Sequence, residues 1–424
     1  MNADPSLKTR RDFLRTSLVG GAMTWTVPVF LARTFDALGA ELAGRSGRAP
    51  SDLPVLVVVQ LAGGNDGLNT VVPFAEDAYH KARPTLRIDE KRALKLDDKL
   101  GLHPELVGLK SLWDQGLLAI ANGVGYPSPN RSHFESMDIW HTGDPTGGVR
   151  RAGWLGRYLE ARARREQGEP AGLQIGGELS LAMRAENYNV PALSGLEALT
   201  LRTDPRSGQD AALEVQTIKK LNESPRAGES DAEPDALAFA RRAMSAAVQE
   251  GDRLRKLAGT YTPGVQYEQG LGQRLGMIAR LIDGNFPTRV FYTSTGGYDT
   301  HAGQEFAHPN LHRTLGRALS DFLKDLRLHG HLDRVTVMAF SEFGRRVQEN
   351  GSRGTDHGTA GPVFVAGGSV RPGIHSPHPS LTDLDQGDLK FTTDFRRVYA
   401  ALLAWLGAEL PGFEPLPLLG ARLI

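Results

Sequence analysis

The sequence has no cysteine among its 424 residues. Disulfides, thiolate metal sites and a cysteine nucleophile are thereby excluded, and the core alone must hold the fold. A surplus of one charge is lacking too, because Lys+Arg and Asp+Glu are equal at 49 each. That balance implies no polyelectrolyte partner and argues against nucleic acid. There is no internal repeat, low-complexity tract or coiled-coil heptad, and Gly63-Gly64 and Gly296-Gly297 lack the spacing of a dinucleotide fingerprint. Nor is there an apolar run of membrane length. The run from Leu18 to Leu31 is short and carries Gly20, Gly21, Thr24, Thr26 and Pro28.

That run follows Thr9-Arg10-Arg11-Asp12-Phe13-Leu14. Paired arginines before a weakly apolar segment mark a twin-arginine export signal, with small residues for cleavage at Ala37-Leu38-Gly39. The competing reading is an amphipathic helix of the folded domain. On the export reading, residues 1–39 are the signal, 40–53 a linker and 54–424 a single domain. The mature protein then works in the periplasm or outside the cell with no stable membrane span, and the twin-arginine machinery is its first partner. Loss of five basic and three acidic groups leaves it with a net charge of −2.

Val55 to Leu61 is a continuous β-branched run, as expected of a strand buried on both faces of a parallel sheet. Strands are also predicted at Leu117–Ala121, Arg289–Thr293, Val335–Phe340 and Pro362–Ala366. Helices are predicted after His103-Pro104-Glu105, over Phe134–Trp140 with Ser132 as N-cap, over Leu311–His329 and over Asp394–Leu406. Residues 154–287 read as mainly helical and hold few groups suited to chemistry. The alternation implies an α/β fold with a mainly parallel sheet covered by helices on both faces.

Four polar clusters stand after predicted strands or in glycine-rich loops: Asn65-Asp66, Asp299-Thr300-His301, Ser341-Glu342 and Asp356-His357. A parallel sheet gathers the carboxyl ends of its strands along one edge, so distant clusters meet there. Grouped carboxylates and imidazoles suit a divalent metal: zinc first, with calcium, manganese or magnesium as alternatives. Each cluster alone is better explained as an Asx turn, a hydrogen-bonded pair, a helix cap or a polar loop; the recurrence of all four carries the inference. Asp383, Asp385 and Asp388 read as a solvated loop rather than a calcium site. His308 and His312, one helical turn apart, read as an exposed pair without a ligand. Trp113, Trp140, Trp154 and Trp405 are expected in the core.

The segments 63–73 (GGNDGLNTVVP), 129–134 (PNRSHF), 296–302 (GGYDTHA), 340–347 (FSEFGRRV) and 354–360 (GTDHGTA) resemble the motifs of the bacterial domain of unknown function 1501 family. That family is distantly similar to the alkaline phosphatase and sulfatase superfamily. The resemblance implies an alkaline-phosphatase-like domain and an exported, metal-dependent hydrolase of phosphate or sulfate esters. Its substrate would be a small molecule or a polymer. By position, Asp66, Asp299, His301, Glu342, Asp356 and His357 are the implied metal ligands. The slot of the superfamily nucleophile holds Pro127, which cannot attack. Ser128, Ser132 or metal-activated water would take that role, Ser132 being favoured at a helix start, with Arg131 and His133 to hold the transferred group. The alternative is a non-catalytic exported binding or assembly protein on the same fold, with a co-encoded exported protein as its partner.

Overall fold

The structure, a computed structural model, describes residues 53–147, 151–166, 171–188, 190–193 and 261–420. The expected export signal, its cleavage region and all of the linker but Leu53 lie outside the described residues.

The sheet is built around β1 (Val55–Leu61), whose seven residues are all buried. Branched side chains restrict χ1 and pack well on a pleated surface, which favours this run as a central strand. The other strands are β2 (Leu118–Gly125), β3 (Ala171–Ile175), β4 (Ala192–Leu193), β5 (Thr288–Thr295), β6 (Val335–Phe340), β7 (Gly361–Gly367), β8 (Gly373–Ile374) and β9 (Thr393–Asp394). Their order is β8-β2-β7-β6-β1-β5-β3-β4, with β9 also paired to β2. Val57 lies opposite Phe291 of β5 and Val337 of β6, both in parallel register. All pairings in this sheet are parallel except those of β7, which runs against both β6 and β2. Strands β3 and β4 add to the sheet from within the section expected to be mainly helical.

Among the described residues seven helices accompany the sheet: α1 (Asp77–Ala82), α2 (Val107–Asp114), α3 (His133–Thr142), α4 (Trp154–Glu166), α5 (Leu271–Asp283), α6 (Gln304–Leu328) and α7 (Phe395–Trp405). Leu56 and Val58 share one core with Trp140, Leu155, Val398, Leu402 and Trp405, which puts α3, α4 and α7 on that face. Helix α7 starts where the Asp394 carboxylate accepts the Arg396 amide at 2.9 Å, and its apolar residues recur at helical spacing. The alternate residues Val57 and Val59 are equally buried. On that side α6 packs between α2 and α5.

Three expectations are corrected. Helix α6 begins at Gln304, well before Leu311, so His308 and His312 are helical and buried rather than exposed. They share the α6 face of Gln304, which is turned inward. Trp113 is only half-buried, whereas Trp140, Trp154 and Trp405 belong to the core. Asp356-His357 does not follow a strand's carboxyl end. It closes a two-stranded ribbon, Arg345–Glu349 against Thr355–His357, that leads into the amino end of reversed β7.

Candidate functional site

Because β7 is reversed, its amino end lies at the same sheet edge as the carboxyl ends of β1, β2, β5 and β6. The loops Ala62–Asp66, Tyr126–Ser132, Gly296–His301 and Ser341–Gly344 and the ribbon therefore share that edge. Close approach is sterically demanding. A Cβ on Gly63, at φ 122°, would stand 2.5 Å from the Asp299 amide nitrogen, and one on Gly354 would stand 2.2 Å from the His301 carbonyl.

At this edge His133, Asp299 and His357 offer ligand atoms that all lie within 4.8 Å of one another. Asp299 Oδ1 is 3.5 Å from His133 Nε2 and 3.2 Å from His357 Nε2. His301 joins them, its Nε2 3.1 Å from Asp299 Oδ1 and 2.9 Å from His357 Nε2. Each imidazole is held from behind through Nδ1. That of His133 faces Glu342 Oε1 at 2.8 Å, that of His301 faces Asp356 Oδ1 at 3.1 Å, and that of His357 faces the Arg131 carbonyl at 2.8 Å. These partners are acceptors, so each Nδ1 is the donor. In the neutral ring Nε2 is then a lone pair. With the three rings neutral, their Nε2 lone pairs would all be turned towards the Asp299 carboxylate oxygen.

The electrostatics follow from the same contacts. Burial pushes the Asp299 carboxyl up, but the Arg345 and His357 hydrogen bonds outweigh it and hold the group at about 2. The Glu342 bond raises His133 above the ordinary imidazole range, whereas burial lowers His357. Burial likewise opposes ionisation of Glu342, yet His133 and the Gly63 amide keep it below the usual carboxylate range.

Arg345 carried no role in the sequence reading, yet it is the bracket of the site. Its buried guanidinium donates to the carbonyls of Gly63, Gly64, Tyr298 and Thr355 and, at 2.6 Å, to Asp299 Oδ1. Its position in the FSEFGRRV segment was the available signal. Phe343 packs against two of the imidazoles, its ring 4.8 Å from that of His133 and 4.9 Å from that of His357.

The expected residues are thus distributed over three kinds of place. Asp299, His301 and His357 converge, and His133, expected to hold the transferred group, lies beside them with its Nε2 3.5 Å from Asp299 Oδ1. Glu342 and Asp356 stand behind imidazoles, where they orient rings instead of facing the common point. Asp66 is not in the cluster at all. It is fully buried, and both its oxygens receive the Arg83 guanidinium, with Gln304 Nε2 at 2.5 Å from Oδ2. Arg131 is committed as well: its Nε donates to Asp388 Oδ2 at 2.7 Å, and only its carbonyl serves the cluster. Ser132 occupies the N-cap position of α3, is exposed, and makes no side-chain capping bond.

A family described as protein of unknown function (DUF1501) matches residues 54–383. The chain belongs to this family. The cluster above therefore lies wholly within the DUF1501 match. No curated protein matches the sequence. Among solved structures, this DUF1501 chain is similar to a lipoteichoic acid synthase from Listeria monocytogenes, at 10% identity over 86% of this chain and 74% of that one, with a TM-score of 0.39. It is also similar to a protein of the alkaline phosphatase superfamily from Vibrio parahaemolyticus, at 11% identity over 85% and 69%, TM-score 0.37. A third is the C-terminal periplasmic domain of EcEptC from Escherichia coli in complex with zinc, at 9% identity over 75% and 74%, TM-score 0.33. Likeness at this level carries no chemistry across. Among the described residues no helix is long and apolar enough to cross a membrane.

Proposed function

We propose that this DUF1501 protein is an exported, metal-dependent hydrolase of phosphate or sulfate esters, with His133, Asp299, His301 and His357 holding one divalent cation. The observation that carries the proposal is the convergence of three imidazole Nε2 atoms on Asp299 Oδ1, at 3.1–3.5 Å. Arg345 already donates to Asp299 Oδ1 and reaches His301 Nε2 at 3.5 Å, and a cation among the ring nitrogens would relieve the repulsion that remains. His133 Nε2 is moreover buried without a hydrogen-bond partner, which a cation would relieve.

The donor set favours zinc. Imidazole nitrogen with one carboxylate suits zinc, whereas calcium and magnesium take oxygen ligands. When bound, such a cation supplies Lewis acidity toward an ester oxygen. The chain's own residues prepare the site for it. Arg345 keeps Asp299 ionised and fixes the carboxylate's direction. Glu342, Asp356 and the Arg131 carbonyl set the tautomers of the three rings, the outer-shell arrangement that raises ligand basicity. Phe343 shields His133 and His357 from one side.

Water is the nucleophile of this reading. Pro127 has no reactive atom, and no hydrogen bond from a base activates the Ser132 hydroxyl. That same observation favours a second reading, a protein that binds metal and an exported partner without turnover. The two are separated by elemental analysis of natively exported protein beside His133→Ala and His357→Ala variants, followed by a screen of aryl and sugar phosphate and sulfate esters. Near-stoichiometric zinc lost in both variants, with zinc-dependent ester cleavage, is the expected result. Zinc without cleavage moves the protein to the second reading, and no zinc in the wild type refutes both.

A further inference from the structure

We infer that the cleft beside the histidine cluster holds the alcohol side of the ester, and that this side is an uncharged hydroxylated ring of sugar type. The inference rests on the ester-hydrolase reading for its placement, but its evidence lies in different residues.

The cleft has a volume of about 330 Å³ and is lined by segments 125–130 and 385–391 together with Phe343, Thr359 and Ala360. That is the lower end of the range for small-molecule sites, enough for one ring and its substituents. Two links join it to the cluster. Phe343 lines the cleft with the same ring that touches His133 and His357. Arg131 holds Asp388 of the cleft wall with its side chain and His357 with its carbonyl.

The wall sets the chemistry. Asp388 is 1% exposed; its Oδ2 takes the Arg131 guanidinium, whereas its Oδ1 accepts no hydrogen bond and has Arg346 Nε 3.7 Å away. A buried acceptor left unsatisfied is costly, so a ligand that donates there is selected over one that cannot. Asp385 adds a second, exposed carboxylate, while the one lysine of the wall, Lys390, is already paired with Asp383. The cleft is therefore rich in acceptors, and its cations are already engaged, Arg131 and Arg346 by Asp388 and Lys390 by Asp383, which leaves a phosphate or sulfate end to the cluster. Phe343 and Phe391, the latter 37% exposed, supply apolar surface. An apolar face with hydroxyl donors on its rim describes a sugar ring. Ser128, between two prolines on the cleft wall, sits at φ 54°, a left-handed conformation that non-glycine residues rarely adopt.

The test is saturation-transfer NMR on the full exported protein with methyl α-glucoside, methyl α-galactoside and myo-inositol as neutral probes and tetramethylammonium as a cationic one. Transfer to at least one neutral ring is expected. It should fall at least fivefold in Phe391→Ala and in Asp385→Asn, both at exposed positions, and persist in His357→Ala. Absence of transfer to every neutral ring, transfer unchanged in Phe391→Ala, or transfer to tetramethylammonium alone would overturn the inference. Zinc content measured on the same samples keeps the two proposals apart. Zinc with no sugar signal sinks only the cleft, and sugar signal with no zinc sinks only the metal reading.

Discussion

Replacing Arg83 by methionine tests whether Asp66 is structural. In the wild type both side chains are fully buried, and the guanidinium also donates to the Val347 carbonyl at 2.9 Å, the Arg346 carbonyl at 2.8 Å and Asn69 Oδ1 at 3.1 Å. Removing the arginine leaves the Asp66 carboxylate with Gln304 as its remaining recorded side-chain donor. Breaking a buried pair from one side costs about 3–5 kcal/mol. At roughly 2–4 °C per kcal/mol for domains of 150–250 residues, the melting temperature should fall by about 10 °C. The Asp66→Leu/Arg83→Met double variant should recover most of that loss, because it leaves no unpaired charge. The assay is thermal unfolding by circular dichroism, with elemental analysis of the same samples. Asp66→Asn should also melt early and yet keep its metal. If instead it melts like the wild type and loses metal, Asp66 is a ligand and the reasoning is refuted.

Burial holds His308 at about 4 and His103 at about 3, with His312 also well below its ordinary value. The unfolded chain takes protons first, so the stability these rings contribute is complete above about pH 6.5 and is lost as pH falls toward 4 and then 3. At about 1.4 kcal/mol per unit, His308 alone accounts for a loss on the order of 3 kcal/mol. Urea midpoints that stay level from pH 7.5 to 4 would show the cluster is not neutral and buried. Glu342→Gln should lower zinc affinity by about 10–100-fold with the fold intact, read by competition with a chelating dye; unchanged affinity would remove Glu342 from the site. Replacing Arg10 and Arg11 together by lysine should leave the precursor in the cytoplasm by cell fractionation, and normal export would discard the twin-arginine assignment.

The strands were legible because burial on both faces leaves continuous apolar runs, and Val335–Phe340 was bounded to the residue. Strands β3 and β4 were not, since AGLQI and the pair Ala192-Leu193 are too short or too mixed for periodicity to separate them from helix. Of the site, the sheet edge and the Asp299-Thr300-His301 turn were readable as a polar turn after a strand, whereas His357 was signalled only by its glycine-rich segment. The division of labour among the residues was not. Glu342 and His133 are 209 residues apart in sequence, and only their contact shows that one orients the other. Asp66 misled for a similar reason: its partner Arg83 stands just past a short helix and carries no motif. His308 and His312 were misjudged because a polar residue on the inward stripe of a helix looks like one on the outward stripe until the packing is known.

The reversed strand β7 sets the order in which this molecule can come together. It is wedged between β2 and β6, so the ribbon bearing His357 cannot reach its place until strands from both halves of the chain have found their register. Such non-local pairings are slow to form. An isolated fragment ending before residue 355 would contain His133, Asp299 and His301 but not the third imidazole. Cation binding would accordingly report completion of the fold, and a truncated or misregistered chain would be told apart from a finished one by its failure to bind.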